Sequence, residues 1–191
     1  MTNKNYENLS DSQVIALVLE GDDNMYALIV EKYEAKLLRY ATYLLKDYDV
    51  ASDAVQETFI KAYVNLRNFN LEKQFSPWIY RILHNEAMNV IKRSKKTMTI
   101  EAINESEDDF FVYFGTDKAM DKKMLNANVR KCLREIDIKY QEVLALTYFD
   151  NLKYDEISDI LHIPTSTVGV RIKRGKEMMK QICRGKGVGH E

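Results

Sequence analysis

The sequence predicts an all-α protein with two small helical domains joined by a flexible acidic linker. Only 7 glycines and 2 prolines interrupt its 191 residues, so few residues break a helix. Apolar side chains recur with the period of amphipathic helices, and no alternating pattern is long enough to form a sheet. A hydrophobic fraction of 46% and a charged fraction of 30% indicate a soluble protein with a buried core.

The charged residues form three blocks, although the formal net charge is only −1. Residues 61–96 carry eight basic and two acidic side chains, and residues 165–186 carry seven basic and one acidic. Residues 98–121, between them, carry seven acidic side chains and one lysine. This order indicates two anion-binding domains on a tether, with solvated helix faces as the alternative interpretation. The predicted bounds are 10–95 for the first domain, 96–120 for the linker and 121–184 for the second domain.

Capping residues and apolar periodicity predict four helices in the first domain. The first helix begins with a capping box formed by Ser10 and Gln13 and stops at Gly21. The fourth begins with Ser76 as N-cap and Pro77 as its first residue. The four helices are predicted at about 11–20, 24–46, 50–68 and 77–94, with a loop at 69–75. Beyond a short turn predicted at 110–114, helices are expected to resume near residue 118.

The cysteines and histidines give no pattern of a metal or cofactor site. Cys132 and Cys183 are far apart in sequence, and we expect them to be reduced thiols with packing roles in a cytoplasmic protein. His84, His162 and His190 do not combine with cysteine or carboxylate at metal-ligand spacing. The polar first ten residues predict no signal peptide, and no run approaches the roughly 20 apolar residues of a membrane span.

The second domain contains a helix-turn-helix pattern. A short amphipathic helix at 154–161 is broken by residues 162–164, and Thr165 or Ser166 is expected to cap the next helix. The second helix has a core stripe consisting of Val168, Ile172, Gly175 and Met179. Its opposite face carries Ser166, Thr167, Val170, Arg171, Lys173, Arg174 and Glu177. Such a basic face fits the major groove, where its side chains can reach bases and phosphates.

Two helix faces in the first domain have unusual compositions. In the third helix, the face opposite the core stripe Val55, Phe59, Ala62 and Leu66 consists of Asp53, Gln56, Glu57, Ile60 and Val64. An apolar centre with a polar rim is typical of a protein-binding surface, and plain solvent exposure is the alternative. One face of the fourth helix carries Trp78, Arg81, Asn85, Met88, Asn89 and Lys92. An aromatic ring among amides and cations suits single-stranded DNA, although Trp78 could equally be a core aromatic.

These segments resemble a known family. The stretch 53–63, the loop 69–75, the segment 77–82 and Asn85 resemble the second conserved region of the sigma-70 family of RNA polymerase specificity factors. The stretch 152–158, residues 164–168 and Arg171 are similar to the fourth region. Their order and spacing are those of the short extracytoplasmic-function (ECF) group, which lacks the third domain. The resemblance covers about residues 11–179.

The resemblance implies three binding surfaces. The residues implied in docking on the clamp helices of the largest polymerase subunit are Asp53, Gln56, Glu57 and Ile60. Those implied in melting the minus-ten promoter element and capturing a flipped base are Asn68, Lys73, Trp78, Arg81, Asn85 and Lys92. Those implied in recognising the duplex minus-thirty-five element are Ser166, Thr167, Val170, Arg171, Lys173 and Arg174. Many relatives carry a basic residue at the position of Gly169, so this recognition is expected to depend more on Arg171, Lys173 and Arg174.

The expected partners follow from the same resemblance. They are core RNA polymerase, through its clamp helices and flap, promoter DNA, and an anti-sigma factor that masks one or both domains. Neither catalysis nor a small-molecule substrate or cofactor is expected, and the acidic linker is expected to pass through the polymerase channel as a mimic of nucleic acid.

Two other classes of protein compete with this interpretation. An operator-binding regulator would need a ligand or phosphoacceptor domain at its N-terminus, and the sequence has neither a parallel-sheet pattern nor a glycine-rich nucleotide loop. A helical metal-dependent phosphohydrolase would need clustered histidine and aspartate ligands, which three scattered histidines do not provide.

Overall fold

The computed structural model describes residues 9–97 and 132–185. Within these two ranges every regular element is a helix and no residue lies in a strand, which confirms the all-α prediction. The α-helices are α1 (Asp11–Leu19), α2 (Tyr26–Leu45), α3 (Tyr48–Val64), α4 (Phe75–Thr97), α5 (Ile138–Tyr148), α6 (Tyr154–Leu161) and α7 (Thr165–Gly185). Residues Asp23–Met25 and Leu66–Asn68 form 3-10 turns. In the described ranges, no helix is both long and apolar enough to cross a membrane.

Contacts between Cα atoms divide the chain into two compact units, and the main division follows Val90. The short turn predicted at 110–114 and the predicted resumption of helix near residue 118 lie outside the described residues. The predicted linker at 96–120 also lies outside them, apart from Lys96 and Thr97. These two residues belong to α4, which ends three residues after its predicted end at Ser94.

The core of the first unit is built around α2, which packs against α3. The periodicity of the sequence explains this packing, because the apolar residues recur on one face of each helix. Each large apolar side chain removed from water contributes about 1.5–3 kcal/mol to stability. The largest fully buried side chains of this unit are Ile15, Ile29, Leu37, Tyr40, Leu66, Phe75, Ile79, Tyr80 and Leu83.

Helix α1 begins as the sequence predicts. The Ser10 side chain accepts a hydrogen bond from the backbone of Gln13 at 3.3 Å. The Gln13 side chain in turn accepts one from the backbone of Ser10 at 2.8 Å. Gly21 follows the helix with a φ of +108°, a conformation that side chains with a Cβ rarely adopt. The capping box and the glycine stop are therefore confirmed.

The start of α4 differs from the prediction. The helix begins at Phe75, so Ser76 is not its N-cap and Pro77 is not its first residue. Phe75 is almost fully buried and its ring contacts those of Tyr33 and Phe69, which draws the helix start into the core. Pro77 remains compatible with this start, because the first N–H groups of a helix have no acceptor within it. In the preceding segment, α3 ends at Val64 rather than at 68.

Helices α6 and α7 form the predicted helix-turn-helix. His162 ends α6 with a positive φ of 52°, and the Ser158 hydroxyl donates to the carbonyl of Ile163 at 2.6 Å. Helix α7 begins at Thr165, so the prediction that Thr165 or Ser166 is its N-cap is wrong. The carbonyl of Pro164 accepts the first helical hydrogen bond, from the N–H of Val168.

The two cysteines are joined in the structure. Cys132 and Cys183 form a disulfide with a Cα–Cα distance of 5.7 Å, inside the range that a disulfide requires. The prediction that they are separate reduced thiols is therefore contradicted. Folding brings together two residues that lie 51 positions apart, and their spacing in the sequence carried no sign of this.

Candidate nucleic-acid interface

Helix α3 presents a mixed surface to solvent. We define the α3 patch as Asp53, Gln56, Glu57, Ile60 and Val64, all of which are exposed. The side chains of Ile60 and Val64 are 59% and 70% exposed, and neither contributes to the core. The opposite face of α3 is buried, as the sequence predicts. An exposed apolar centre with a polar rim has the composition of a protein interface.

Lys61 fixes the edge of the α3 patch. Its ammonium lies 3.2 Å from the Glu57 carboxylate and 2.8 Å from the Glu86 carboxylate of α4. The ammonium of Lys61 donates a hydrogen bond to Glu86, which raises the pKa of Lys61; desolvation opposes this shift, and a hydrogen bond to Glu57 adds to it. Because these groups are partly exposed, the ion pairs contribute little to stability, but they orient the Glu57 side chain. Sequence reasoning missed this arrangement, since Glu86 lies on another helix.

Tyr63 extends the α3 patch, and sequence reasoning did not include it. Its side chain is exposed and its ring contacts the ring of Tyr26 edge-on, with centroids 5.0 Å apart. A hydrogen bond with Asp23 raises the pKa of the Tyr63 phenol. The aromatic surface available beside Ile60 and Val64 is therefore larger than the sequence suggests.

The loop before α4 is closed by aromatic packing. The ring of Phe69, at its start, meets the ring of Phe75 edge-on at 5.4 Å. Trp78 lies against both rings, with centroid distances of 5.1 Å to Phe69 and 5.4 Å to Phe75. Residues 70–74 between the two phenylalanines are all exposed. The three rings thus hold a short polar loop out from the core.

Hydrogen bonds also shape this loop. The side-chain oxygen of Asn70 accepts a hydrogen bond from the N–H of Glu72 at 2.9 Å. The backbone carbonyl of Asn70 accepts one from the N–H of Lys73 at 2.9 Å. The Ser12 hydroxyl, from α1, donates to the carbonyl of Leu71 at 3.3 Å. An Asx turn supported by α1 therefore displays the Lys73 side chain to solvent.

The predicted minus-ten residues divide by exposure. Asn68, Asn85 and Lys92 are exposed, whereas Trp78 and Arg81 are half-buried. The Arg81 Nε is buried and has no hydrogen-bond partner in the described part of the chain. A buried donor without an acceptor costs free energy, and the burial of this atom also keeps it out of direct reach of a bound ligand.

The outer face of α7 carries most of the predicted minus-thirty-five residues. Val170 is 50% exposed and Thr167 is half-buried. The side chains of Ser166, Lys173 and Arg174 are exposed. The structure thus brings together an apolar, a hydroxyl and two cationic side chains on the exposed part of the second helix of a helix-turn-helix.

Arg171 has a different environment from its neighbours on α7. Its guanidinium donates to the Glu142 carboxylate of α5 at 2.8 Å. Burial raises the pKa of Glu142 from 4.5 to about 7, and the attraction of Arg171 opposes this shift only in part. The Arg171 side chain is therefore committed to holding α7 against α5.

Sequence comparison identifies the family. The chain is 33% identical to the ECF RNA polymerase sigma factor SigW of Bacillus subtilis over 178 residues. The alignment covers 89% of this chain and 95% of SigW. The chain belongs to the ECF family of RNA polymerase sigma factors. It is also 29% identical to the RNA polymerase sigma-H factor of Pseudomonas aeruginosa over 181 residues, or 91% of this chain and 94% of that one.

The two predicted regions are both matched. Residues 29–97 match Sigma-70 region 2, and residues 126–179 match Sigma-70, region 4. This sigma factor therefore binds core RNA polymerase and directs it to promoters, and the operator-binding regulator is set aside.

Solved structures share the fold of this sigma factor. CnrH, solved in complex with the cytosolic domain of CnrY, superimposes with a TM-score of 0.69 at 19% identity, covering 92% of this chain and 97% of that one. The sigma factor RpoE, solved with the anti-sigma factor NepR from Bartonella quintana, gives a TM-score of 0.64 at 18% identity, covering 83% and 96%.

We call residues 132–185, which include α5, α6 and α7, the region 4 unit. We expect this unit to lose stability as the pH rises from about 4.5 to about 7. The pKa of Glu142 is raised in the folded state, so the folded chain keeps this proton to a higher pH than the unfolded chain. The resulting stabilisation is complete below the unfolded pKa and is lost as the pH passes the folded pKa, a change on the order of 3 kcal/mol. Amide hydrogen exchange at Val168 and Ile172 measures it.

The control for this pH dependence is Glu142→Gln, which cannot titrate. Its exchange rates, corrected for intrinsic pH effects, should lack the slope of the parent over the same range. An identical slope in both proteins would assign the pH dependence to other groups.

Two glycines of α7 should respond in opposite ways to alanine. A Cβ at Gly175 would lie 2.9 Å from Leu144 Cδ1 and 3.3 Å from Tyr140 Cβ, where α5 and α7 pack together. A Cβ at Gly169 meets only the ring of Tyr154, at 3.7 Å. Alanine favours a helix by about 1 kcal/mol over glycine, so Gly169→Ala should stabilise the unit. In Gly175→Ala, overpacking costs about 1–3 kcal/mol, which outweighs the same gain and should destabilise the unit.

The measurement is denaturant unfolding of both variants, followed by hydrogen exchange of the α7 amides. The helix-propensity gain is shared, so the difference between the variants isolates the packing cost at Gly175. Equal stability of the two proteins would contradict the close packing of α5 and α7.

Proposed function

We propose that this ECF sigma factor uses three separate surfaces, one for polymerase and two for promoter DNA. The observation that carries the proposal is that its two compact units each expose a surface suited to DNA, while α3 exposes a surface suited to protein. Each surface alone is expected to bind weakly. Docking on one polymerase makes the second DNA contact intramolecular, which raises the overall affinity.

The α3 patch is the proposed docking surface for the clamp helices of the polymerase. Its exposed apolar centre, Ile60 and Val64, would be buried on docking, and its acidic rim, Asp53 and Glu57, would face basic groups of the partner. Gln56 supplies further hydrogen-bonding groups. The flap of the polymerase is proposed as the contact of the region 4 unit.

The minus-ten element is proposed to bind the loop at 70–74 and the adjoining face of α4. The loop is held away from the core by three aromatic rings and displays Lys73. The half-buried Trp78 offers part of a ring for stacking on an unpaired base, and the half-buried Arg81 offers a cationic side chain beside it. The exposed side chains of Asn68, Asn85 and Lys92 would contact bases and phosphates.

The minus-thirty-five element is proposed to bind the exposed face of α7 in duplex form. Ser166, Lys173 and Arg174 would reach bases and phosphates, while Val170 and Thr167 would make apolar contacts. Arg171 is proposed to act as a positioning residue, because its guanidinium pairs with Glu142. Gly169 leaves a gap in this face that the exposed ring of Tyr154 borders.

Further features of the proposed function rest on the family. An anti-sigma factor is the proposed regulator, as RpoE of Bartonella quintana was solved with NepR. Residues 96–120 are proposed as an acidic linker that passes through the polymerase channel, between domains at 10–95 and 121–184. The protein is proposed to act in the cytoplasm as an adaptor, with no catalysis, small-molecule substrate or cofactor of its own.

The test of this function is run-off transcription by core polymerase with the purified chain on a pool of random promoters. We expect transcription only from those templates of the pool that share two sequence elements upstream of the start site. Failure of the chain to associate with core enzyme would overturn the proposal, however well α7 bound a duplex.

Loss of Arg174 should weaken promoter binding chiefly through the minus-thirty-five element. A cationic contact to a base is worth about 1–3 kcal/mol, so Arg174→Ala is expected to lower affinity by roughly 5- to 100-fold on a promoter that has the element. Lys180→Ala, an equal charge change farther along α7, is the control and should have a small effect. If a promoter without that element suffers equally, the assignment of Arg174 is wrong.

A further inference from the structure

The disulfide of the region 4 unit joins two segments that are far apart in the sequence. Cys132 precedes α5 and is fully buried, whereas Cys183 lies in the last turn of α7 and is half-buried. These are the only two cysteines of the chain. The bond therefore ties the end of the proposed DNA-recognition helix to the beginning of the described part of this unit.

The second half of α7 is held weakly by packing. The buried residues of α7 are Val168, Ile172 and Gly175, all in its first half, and residues 176–185 are either half-buried or exposed. An apolar pocket of about 360 Å³ is lined by Leu133, which follows Cys132 in sequence, and by Met179, one helical turn before Cys183. The disulfide therefore joins the two segments beside a space that their side chains do not fill.

The geometry points to a reversible oxidation site: we propose that the Cys132–Cys183 disulfide is reduced by dithiol proteins and re-formed by a small disulfide such as oxidised glutathione. This rests on the proposed function, since a partner of cytoplasmic polymerase meets thiol reductants. Disulfides in that compartment are usually transient and redox-sensing. The exposed side of the bond also fits exchange, because Cys183 is the more accessible cysteine.

The exchange balances in two steps. A thiolate of the dithiol attacks Sγ of Cys183, the sulfur–sulfur bond breaks, and Cys132 leaves as a thiolate that takes up a proton. The second thiol of the reductant then displaces Cys183, which also becomes a thiol. Two electrons and two protons pass to the pair, and the reductant becomes a disulfide. Oxidised glutathione reverses the change and is released as two molecules of glutathione.

Reduction should loosen the end of α7, so that fraying extends towards Lys173 and Arg174 of its DNA-contacting half. The buried residues Val168, Ile172 and Gly175 still anchor that half in the unit. Opening a loop of about 50 residues restores freedom to the unfolded chain, so the melting temperature should fall by roughly 10 °C. A helix that is partly frayed must be ordered on binding, so we expect roughly threefold weaker binding to the minus-thirty-five element.

Thiol counting on the full chain tests the site itself. The chain is equilibrated with mixtures of reduced thioredoxin, which is a dithiol protein, and oxidised glutathione, quenched with a maleimide of high mass and separated on a gel. Two thiols are expected under reducing conditions and none under oxidising conditions, with full return after re-oxidation. Two free thiols in every mixture, mixed disulfides with glutathione alone, or a bond that no reductant opens in the folded chain would each overturn the proposal.

The consequence is tested by melting and by binding to a minus-thirty-five duplex in both redox states. Cys183→Ala should behave like the reduced parent under all conditions, and its melting temperature and affinity should not respond to glutathione. A redox response that persists in Cys183→Ala, or identical melting of the two states of the parent, would overturn the proposal. Reversible thiol pairing without transcription by either state would instead count against the proposed function.

Discussion

The substitution Ile60→Asp is expected to weaken binding to core RNA polymerase by at least about 30-fold and to abolish promoter-directed transcription. Ile60 lies at the centre of the α3 patch and is 59% exposed. Truncation at the centre of an interface commonly costs 2 kcal/mol or more, and a carboxylate there would also be buried without a partner. Titration of a labelled chain with core enzyme, in the absence of DNA, measures the effect.

The control for Ile60→Asp is the same change at Val170, which is 50% exposed on α7. Neither side chain belongs to the core, so both variants should melt close to the parent. Val170→Asp is expected to keep its affinity for core enzyme and to lose binding to the minus-thirty-five duplex. If Ile60→Asp binds core enzyme as tightly as the parent, the α3 patch is not the docking surface.

Local chemistry explains which elements the sequence could predict. The capping box of Ser10 and Gln13 involves residues three positions apart, and the core stripe of α3 follows from helical periodicity alone. The break between α6 and α7 likewise follows from Pro164. None of these features needs knowledge of what packs against the helix, so the sequence was sufficient.

The predicted helix starts failed where tertiary packing outweighed capping propensity. Ser76 is a good N-cap residue, but burial of Phe75 against Tyr33 and Phe69 begins α4 earlier. At α7, the carbonyl of Pro164 accepts the first bond, so no hydroxyl cap was needed. Capping residues are favoured by about 1 kcal/mol, which is less than the burial of one aromatic ring can provide.

Contacts between distant residues could not be predicted from spacing. Arg171 is one of several basic residues on α7, and only the fold shows that it pairs with Glu142, 29 positions away. The Lys61 bridge to Glu86 and the pairing of Cys132 with Cys183 are of the same kind. Such contacts show which residues are available to a ligand and which residues position other side chains. A single sequence does not make that distinction.

Trp78→Ala is expected to reduce promoter opening by roughly 10- to 100-fold while changing the affinity for core polymerase by less than about twofold. Stacking of an aromatic side chain on an unpaired base is worth about 1–3 kcal/mol. The structure adds a second reason, because the Trp78 ring packs against Phe69 and Phe75 at the two ends of the loop. Permanganate reactivity of the minus-ten element measures opening.

The variants Trp78→Phe and Phe69→Leu separate the two roles of Trp78. Trp78→Phe keeps an aromatic ring in the cluster and should retain part of the opening activity. Phe69→Leu loosens the loop but leaves Trp78 available, so it should affect opening less than Trp78→Ala if stacking on the base dominates.

On a promoter whose minus-ten element is already unpaired, the effect of lost stacking on binding persists, whereas a defect confined to melting disappears. Equal loss of core binding and of opening in Trp78→Ala would mean that the ring serves only the fold of the region 2 unit.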